Sequence, residues 1–160
     1  MLLLLMAILF ELVYGTYTNQ DRLSSDAMLV EIVAHSKDFY FSIFGNGFRI
    51  STQDTIKKNG GCSKFVVYRG NTAIIQGKKR LCKSKTTAGV DVCGTMNANT
   101  WRVLRYKGKE YVKFKYPNEN KCITATKMSD VNGRKANIQE CIDDSGIGDI
   151  SQRFVINRLY

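Results

Sequence analysis

Apolar and polar residues alternate in several short segments of this chain. In Val112-Lys-Phe-Lys-Tyr116, for example, the apolar side chains recur at every second position. A period of two is expected of a β-strand that buries one face. Between such segments lie turn sequences such as Gly45-Asn46-Gly47, which favour tight hairpins. The pattern predicts an all-β protein built from short hairpins.

From Ser36 onward the chain divides into three stretches of the same design, each with a hairpin, a variable middle segment and an aromatic-led closing strand. The predicted hairpins join Phe41–Phe44 to Phe48–Thr52, Thr72–Gln76 to Arg80–Ser84, and Tyr111–Tyr116 to Lys121–Ala125. The closing strands are Ser63–Val67, Asn99–Val103 and Gln152–Ile156, with Phe65, Trp101 and Phe154 at equivalent places. Units too small to bury their own apolar faces gain a core by packing about a shared axis.

The repeat sets the expected domain limits. One domain is predicted over residues 28–160, with units at about 36–70, 71–109 and 110–160. The third unit is the longest, and its extra length is placed in a loop around Asp143–Asp149. The segment Asp26–His35 fits a strand or a short helix equally well, since periodicity cannot separate them. A strand there that pairs near Phe154–Leu159 would close a barrel.

The N-terminus carries an apolar run, Met1-Leu-Leu-Leu-Leu-Met-Ala-Ile-Leu-Phe10, which is short for a membrane span of about 20 residues. Small residues follow it, with Val13-Tyr14-Gly15 as a cleavage signal. We therefore predict a signal peptide over residues 1–15, an N-terminal segment at 16–27, and a secreted protein that does not span the membrane. A buried strand or an uncleaved anchor is the alternative.

The chain is strongly basic. It has 24 Lys and Arg against 14 Asp and Glu, a formal charge of +10. Such a surface attracts polyanions of every kind. Secretion favours sulfated or other anionic glycans as partners over any specific nucleic acid. The basic residues are scattered in small groups such as Arg134-Lys135, so a solvated face is the ordinary alternative.

The five cysteines of an exported chain should mostly be oxidised. In the repeat register, Cys82 and Cys122 follow the hairpin turns, while Cys93 and Cys141 precede the closing strands. This register predicts the bridges Cys82–Cys93 and Cys122–Cys141. In the first unit Arg49 takes the first position, so Cys62 should be a free thiol or form an intermolecular bridge.

The third unit shows a combined motif of three parts: Lys121-Cys-Ile-Thr-Ala, Gly133-Arg-Lys-Ala-Asn-Ile-Gln-Glu-Cys141 and Gln152-Arg-Phe-Val-Ile. It resembles the ricin B-type lectin repeat, which has a Cys-Leu-Asp opening, a Gly followed by an apolar strand ending in Cys, and a closing Gln-x-Trp. The resemblance is clearest over 111–160 and weaker in the first two units. It implies a β-trefoil of three pseudo-repeats, each with about four strands, and a carbohydrate-binding role.

The sugar site of that family is altered here. In the family, an Asp two positions after the first Cys holds sugar hydroxyls and an aromatic just before the second Cys stacks on the ring; here these places hold Thr124 and Gln139. Gln152 matches the closing Gln, whose family role is largely to support the site and the fold. Loss of the ring and the carboxylate removes the main sources of affinity for neutral sugars. The remaining candidate sugar-binding residues are Thr124, Asp130, Asn137, Gln139 and Gln152, which could equally be ordinary solvated residues.

No catalytic, metal or cofactor site is predicted. The single histidine, His35, lies in the segment whose structure the pattern leaves open and is better explained as a surface residue than as a catalytic base, and metal-ligand spacings of Cys or His do not occur. The acidic residues between Glu140 and Asp149 fall in one turn-rich stretch and lack the facing geometry that glycoside hydrolysis needs. The chain is therefore expected not to be an enzyme.

Two functions remain. The first is a secreted lectin-like module that binds carbohydrate, with anionic glycans favoured by the charge, and so attaches to a cell surface or an extracellular coat. The second is a degenerate trefoil that serves as a protein-interaction or protease-inhibitor scaffold, with the loops Thr86–Asp91 and Asp143–Asp149 making the contacts.

Overall fold

The computed structural model describes residues 27–36, 38–68, 71–72, 74–94, 101–143 and 150–159. The predicted signal peptide and nearly all of the segment 16–27 lie outside these residues. No helix in the described ranges is long and apolar enough to cross a membrane.

The strands are β1 (Ala27–Ala34), β2 (Tyr40–Phe44), β3 (Gly47–Ser51), β4 (Phe65–Tyr68), β5 (Asn71–Thr72), β6 (Ile74–Gln76), β7 (Lys79–Lys83), β8 (Val90–Gly94), β9 (Trp101–Arg105), β10 (Val112–Lys115), β11 (Lys121–Asp130), β12 (Gly133–Glu140) and β13 (Phe154–Arg158). The helices are α1 (Gln53–Asn59) and a 3₁₀ turn at Ile150–Gln152.

Strand pairing closes a barrel. β1 pairs with β4, β4 with β6, β5 with β9, β9 with β10, β10 with β13, and β13 with β1 again, all antiparallel. β5 and β6 follow one another in the chain and together fill the place between β4 and β9. Closure into a ring protects the strand edges. The expected pairing of the 26–35 segment with the C-terminal strand is confirmed, since Ile32 lies opposite Ile156.

Three hairpins flank the barrel strands, one in each unit. They are β2–β3, β7–β8 and β11–β12. Each hairpin is joined to the preceding barrel strand by antiparallel pairing, as where Lys115 faces Cys122. Three units of four strands about a pseudo-threefold axis form a β-trefoil, the predicted fold.

The first unit begins one strand earlier than the sequence indicated. The hairpin predicted to open it, Phe41–Phe44 with Phe48–Thr52, is β2–β3, the counterpart of β7–β8; the opening strand is β1 and not a segment after residue 36. The alternation in β1 is hidden in the sequence because Leu29 and Val33, on its partly exposed face, are apolar too.

Helix α1 replaces a simple connection between β3 and β4 and was not predicted. Its N-cap is Thr52, whose side chain accepts from the Thr55 amide, and it ends at Gly60 in a left-handed conformation. The buried Ile56 anchors it to the core. The sequence gives no clear helical period here, because a helix of seven residues spans only about two turns.

The three closing aromatics share one core, as predicted. Phe65, Trp101 and Phe154 begin β4, β9 and β13, are each 0% exposed, and belong to the same buried cluster. The Trp101 indole N–H donates to the Leu81 carbonyl at 3.0 Å, so its polar atom is satisfied. The Phe154 ring meets that of Phe41 edge-on, with centroids 4.9 Å apart.

Both predicted disulfides are present, Cys82–Cys93 and Cys122–Cys141, with Cα–Cα distances of 6.1 and 5.0 Å. Cys62 is a free, exposed thiol. The predicted equivalence of Arg49 with the first cysteine of the other two units was wrong, however. Arg49 lies on β3, whereas the first cysteine of each bridge lies on β7 or β11, the second strands of their units. Cys62 follows α1 and pairs with Ile43 of β2.

The extra length of the third unit lies partly in its hairpin. β11 and β12 extend to the turn at Val131–Asn132, with a register irregularity between Ala125 and Ser129. The loop predicted around Asp143–Asp149 is described only at Asp143. Lengthening of the hairpin was not anticipated, because the motif defines only the end near the disulfide.

We predict that truncating the core aromatics will strongly destabilise the fold. Phe154→Ala should lower the free energy of unfolding by about 3–5 kcal/mol, because it removes buried contacts and leaves a cavity. The half-buried Phe44 beside the β2–β3 turn supplies a control, and Phe44→Ala should cost less. Urea denaturation measures both, and Phe154→Leu serves if the alanine variant does not fold. Equal losses for the two alanine variants would contradict a shared core.

Candidate functional site

A cleft of about 370 Å³ lies beside the β11–β12 hairpin. The end of β1, both strands of the hairpin and the 3₁₀ turn form its walls. The lining residues are Ala34, Ser36, Thr124, Ala125, Thr126, Lys127, Arg134, Gln139, Ile150 and Ser151. Two of the five candidate sugar-binding residues, Thr124 and Gln139, are among them.

Gln152 lies behind the cleft and braces it. The side chain is fully buried, and its amide nitrogen donates to the Thr124 hydroxyl at 3.0 Å and to the Glu140 carbonyl at 2.8 Å. Its amide oxygen accepts from the Ile142 N–H at 2.8 Å. Both amide hydrogens are thus used inside the protein. Gln152 holds the hairpin against the closing strand and is not placed to contact a ligand.

Thr124 is part of the same brace. Its hydroxyl accepts from Gln152 and donates to the Cys122 carbonyl at 3.1 Å. The residue is buried, so it contributes to the cleft wall more by shape than by hydrogen bonding. An Asp here would bring a carboxylate to the wall, whereas Thr124 leaves this position uncharged.

Gln139 and Asn137 lie on one face of β12, opposite Cys122 and Thr124 of β11. Gln139 is exposed and borders the cleft. Asn137 is half-buried, does not line it, and pairs through its backbone with Gly89 of the second unit. The second-unit loop therefore packs on β12, and the Ile138 N–H donates to the Ala88 carbonyl at 2.6 Å.

This packing bears on the loop Thr86–Asp91, which the alternative function would use as a protruding contact loop. Its backbone is tied to β12 at Ala88 and Gly89, and the Ser84 hydroxyl accepts from the amides of Thr86 and Thr87. The loop supports the third hairpin.

Asp130 lies far along the hairpin, at its turn. One carboxylate oxygen accepts from Arg49 Nε at 2.9 Å and Nη2 at 2.6 Å, and the other from the Asn132 N–H at 2.9 Å. The Arg49 guanidinium lowers the pKa of the Asp130 carboxyl below its ordinary value. The Arg49–Asp130 pair therefore contributes its full stabilisation of the turn at pH values above the ordinary pKa of the carboxyl. This contribution is lost as the pH falls through the lowered pKa. Asp130 does not line the cleft.

Two cations that the sequence did not single out do line it, Lys127 and Arg134. The Arg134 guanidinium lies over the ring of Phe39, 4.1 Å from its centroid. Stacking occupies the face of the guanidinium, whereas its N–H groups lie around the edge, where an anion can be bound. In the sequence Arg134 is one of many basic residues, and only the fold places it beside Lys127.

The electrostatic character of the cleft is positive. Among the described lining residues there are two cations, no carboxylate and no aromatic ring. The residues 144–149, which precede Ile150, lie outside the described ranges. In the same described part of the chain, no group of three or more His, Cys, Asp and Glu side chains could hold a metal ion. His35, near the rim, packs edge-on against Tyr111, with ring centroids 5.4 Å apart.

Solved structures with the same architecture include the Macrolepiota procera ricin B-like lectin in complex with lactose, at a TM-score of 0.62 and 11% identity over 84% of this chain and 98% of that one. The designed threefold-symmetric protein ThreeFoil gives a TM-score of 0.59 and 15% identity, covering 82% and 99% of the two chains. GalNAc-T7 with UDP, GalNAc and Mn²⁺ matches over 23% of its own chain and 84% of this one, at 0.59 and 17% identity.

The chain has a β-trefoil fold, the fold that it shares with the ricin B-like lectin and with ThreeFoil. No protein-family model and no curated protein sequence matches it. Within this trefoil the brace at Gln152 is not repeated in the first unit. There Ser63 stands two residues before the closing aromatic, and its hydroxyl donates to Glu31 at 3.0 Å. The trefoil thus differs locally between units, and the third has its own support for a cleft.

We predict that Gln152→Leu will lower the free energy of unfolding by about 1–3 kcal/mol, because the buried Thr124 hydroxyl and the part-buried Ile142 N–H and Glu140 carbonyl each lose a hydrogen-bond partner. The same substitution on the exposed face of β12, Gln139→Leu, should change it by no more than about 0.5 kcal/mol. Urea denaturation of the two variants gives the comparison. A similar effect for both would show that Gln152 does not brace the hairpin.

Proposed function

We propose that this trefoil is a carbohydrate-binding module and that the third-unit cleft takes an anionic saccharide. The observation that carries the proposal is the placement of Lys127 and Arg134 on one cleft wall with hydroxyl and amide groups nearby. The likeness to a lectin solved with lactose supports a carbohydrate as the ligand class.

Sulfate or carboxylate groups on a sugar suit this wall. A guanidinium offers parallel N–H donors to two oxygens of one anionic group, and a lysine adds a point charge. The exposed Ser36 and Gln139 can hydrogen-bond neighbouring sugar hydroxyls. Without an aromatic ring among the described lining residues, a neutral sugar would have only these polar contacts, so charge should dominate the affinity.

We further propose that the module acts after export and by binding alone. The two disulfides support an oxidising compartment, since such bridges seldom persist in the cytosol. In that setting the ligand would be a glycan of a cell surface or an extracellular coat, and the module would attach its carrier there. The chain's charge of +10 supports the same class of partner.

The test is calorimetric titration with a heparin-derived oligosaccharide and with the same oligosaccharide after desulfation. The sulfated ligand should bind, and its affinity should fall with added salt. Arg134→Gln should weaken binding by about tenfold, because it removes a charged, bidentate donor. The control Arg105→Gln makes the same charge change at an exposed position of β9 and should leave affinity nearly unchanged.

Two results would refute the assignment. One is equal affinity for the sulfated and desulfated ligands, which would remove the anionic preference. The other is an equal loss in the Arg134 and Arg105 variants, which would show that overall charge and not the cleft binds the ligand. A DNA oligonucleotide that competes as well as the glycan would identify unspecific polyanion binding.

A further inference from the structure

The tip of the β11–β12 hairpin exposes apolar side chains that the cleft does not use. Val131 is 84% exposed and Met128 64% exposed, and with Ile150 they are the exposed large hydrophobic residues of the described chain. Neither Val131 nor Met128 lines the cleft. Exposed apolar side chains at and near the turn of a hairpin are available to another surface.

The tip is held in place by the first unit. Asn59, at the end of α1, donates its side-chain amide to the Val131 carbonyl at 2.8 Å and to the Asn132 side chain at 3.1 Å. The Ser51 hydroxyl donates to the Asn132 carbonyl. Gly133 approaches β3 so closely that a Cβ would meet the Ile50 carbonyl at 2.9 Å. These contacts fix the turn, and they leave the Val131 side chain exposed to solvent.

Four lysines lie near the tip, either beside its residues in the chain or beside a residue that contacts it. Lys127 precedes Met128 in β11. Lys135, on β12, is close enough to Asp130 for its charge to lower the pKa of that carboxyl. Lys57 and Lys58 come just before Asn59, which hydrogen-bonds the turn. All four lysines are exposed. The acidic residue of the tip, Asp130, is neutralised by its ion pair with Arg49 at 2.6 Å. The tip therefore combines two apolar side chains with a positive collar.

We propose that this tip docks on an anionic lipid bilayer. Lysines near such a surface are attracted to its acidic headgroups, while small apolar groups enter the interfacial region. Charge complementarity favours a bilayer over an apolar protein groove, because the collar is made of flexible lysines on three elements, β11, β12 and α1, and suits a diffuse negative surface.

The test is sedimentation of the full chain with phosphatidylcholine vesicles and with vesicles that also contain phosphatidylserine. Only the anionic vesicles should bind, and added salt should release the protein. Lys58→Gln with Lys135→Gln should weaken binding by about tenfold or more. Lys107→Gln with Lys109→Gln, in the β9–β10 turn, makes the same charge change and should have a much smaller effect. None of these four lysines lines the cleft.

The contribution of Met128 and Val131 to vesicle binding is tested separately. Met128→Gln with Val131→Thr should weaken vesicle binding and leave heparin-oligosaccharide binding intact, which also shows that the variant is folded. The chain has one tryptophan, the fully buried Trp101, so a Val131→Trp variant reports from the tip. Its emission should shift to shorter wavelength on anionic vesicles.

The proposal is overturned if anionic vesicles do not bind, if the two lysine pairs weaken binding equally, or if the Trp at position 131 keeps its aqueous emission on bound vesicles. The glycan and lipid measurements are independent, since loss of heparin binding in Arg134→Gln would not by itself remove the docking tip.

Discussion

The fold depends on burying three aromatic side chains from three short units in one interior. Phe65, Trp101 and Phe154 each begin a barrel strand, and each unit alone offers too little apolar surface to cover its ring. Packing the rings together about a common axis removes them from water and brings the barrel strands into pairing distance. Everything outside the barrel, including the hairpins, is attached to this closed frame.

The frame constrains the barrel strands more than the hairpins, and the third hairpin has the longest strands of the three. Near the barrel it is held by the Gln152 brace and the Cys122–Cys141 bridge. Farther out it is held by the first unit through Arg49 and Asn59. Supports at both ends let one hairpin present a basic cleft wall near its middle and an apolar, lysine-rimmed tip at its turn.

The elements read correctly from the sequence are those whose signal is local. The turn at Gly45-Asn46, the alternation in β10 and the position of each closing aromatic are set by neighbouring residues. The first-unit boundary was misplaced because β1 has apolar residues on both faces. Its two faces are distinguished only in the folded sheet, where β4 and β13 pair on either side of it and one face turns to the core. Helix α1 was missed because its caps, and not a period, define it.

The sequence by itself determined the three-unit design, the closing aromatics and the two bridges, since these follow from short-range pattern and repeat register. Only the tertiary structure decided which polar residues share a site. Ser36 follows β1 and Arg134 lies on β12, so they meet across the cleft only when the barrel has closed. Asp130 is a candidate sugar-binding residue in the sequence. In the structure Arg49 of the first unit holds it at the hairpin turn, away from the cleft. Cleft membership depends on contacts between residues distant in the chain, and a linear pattern does not contain them.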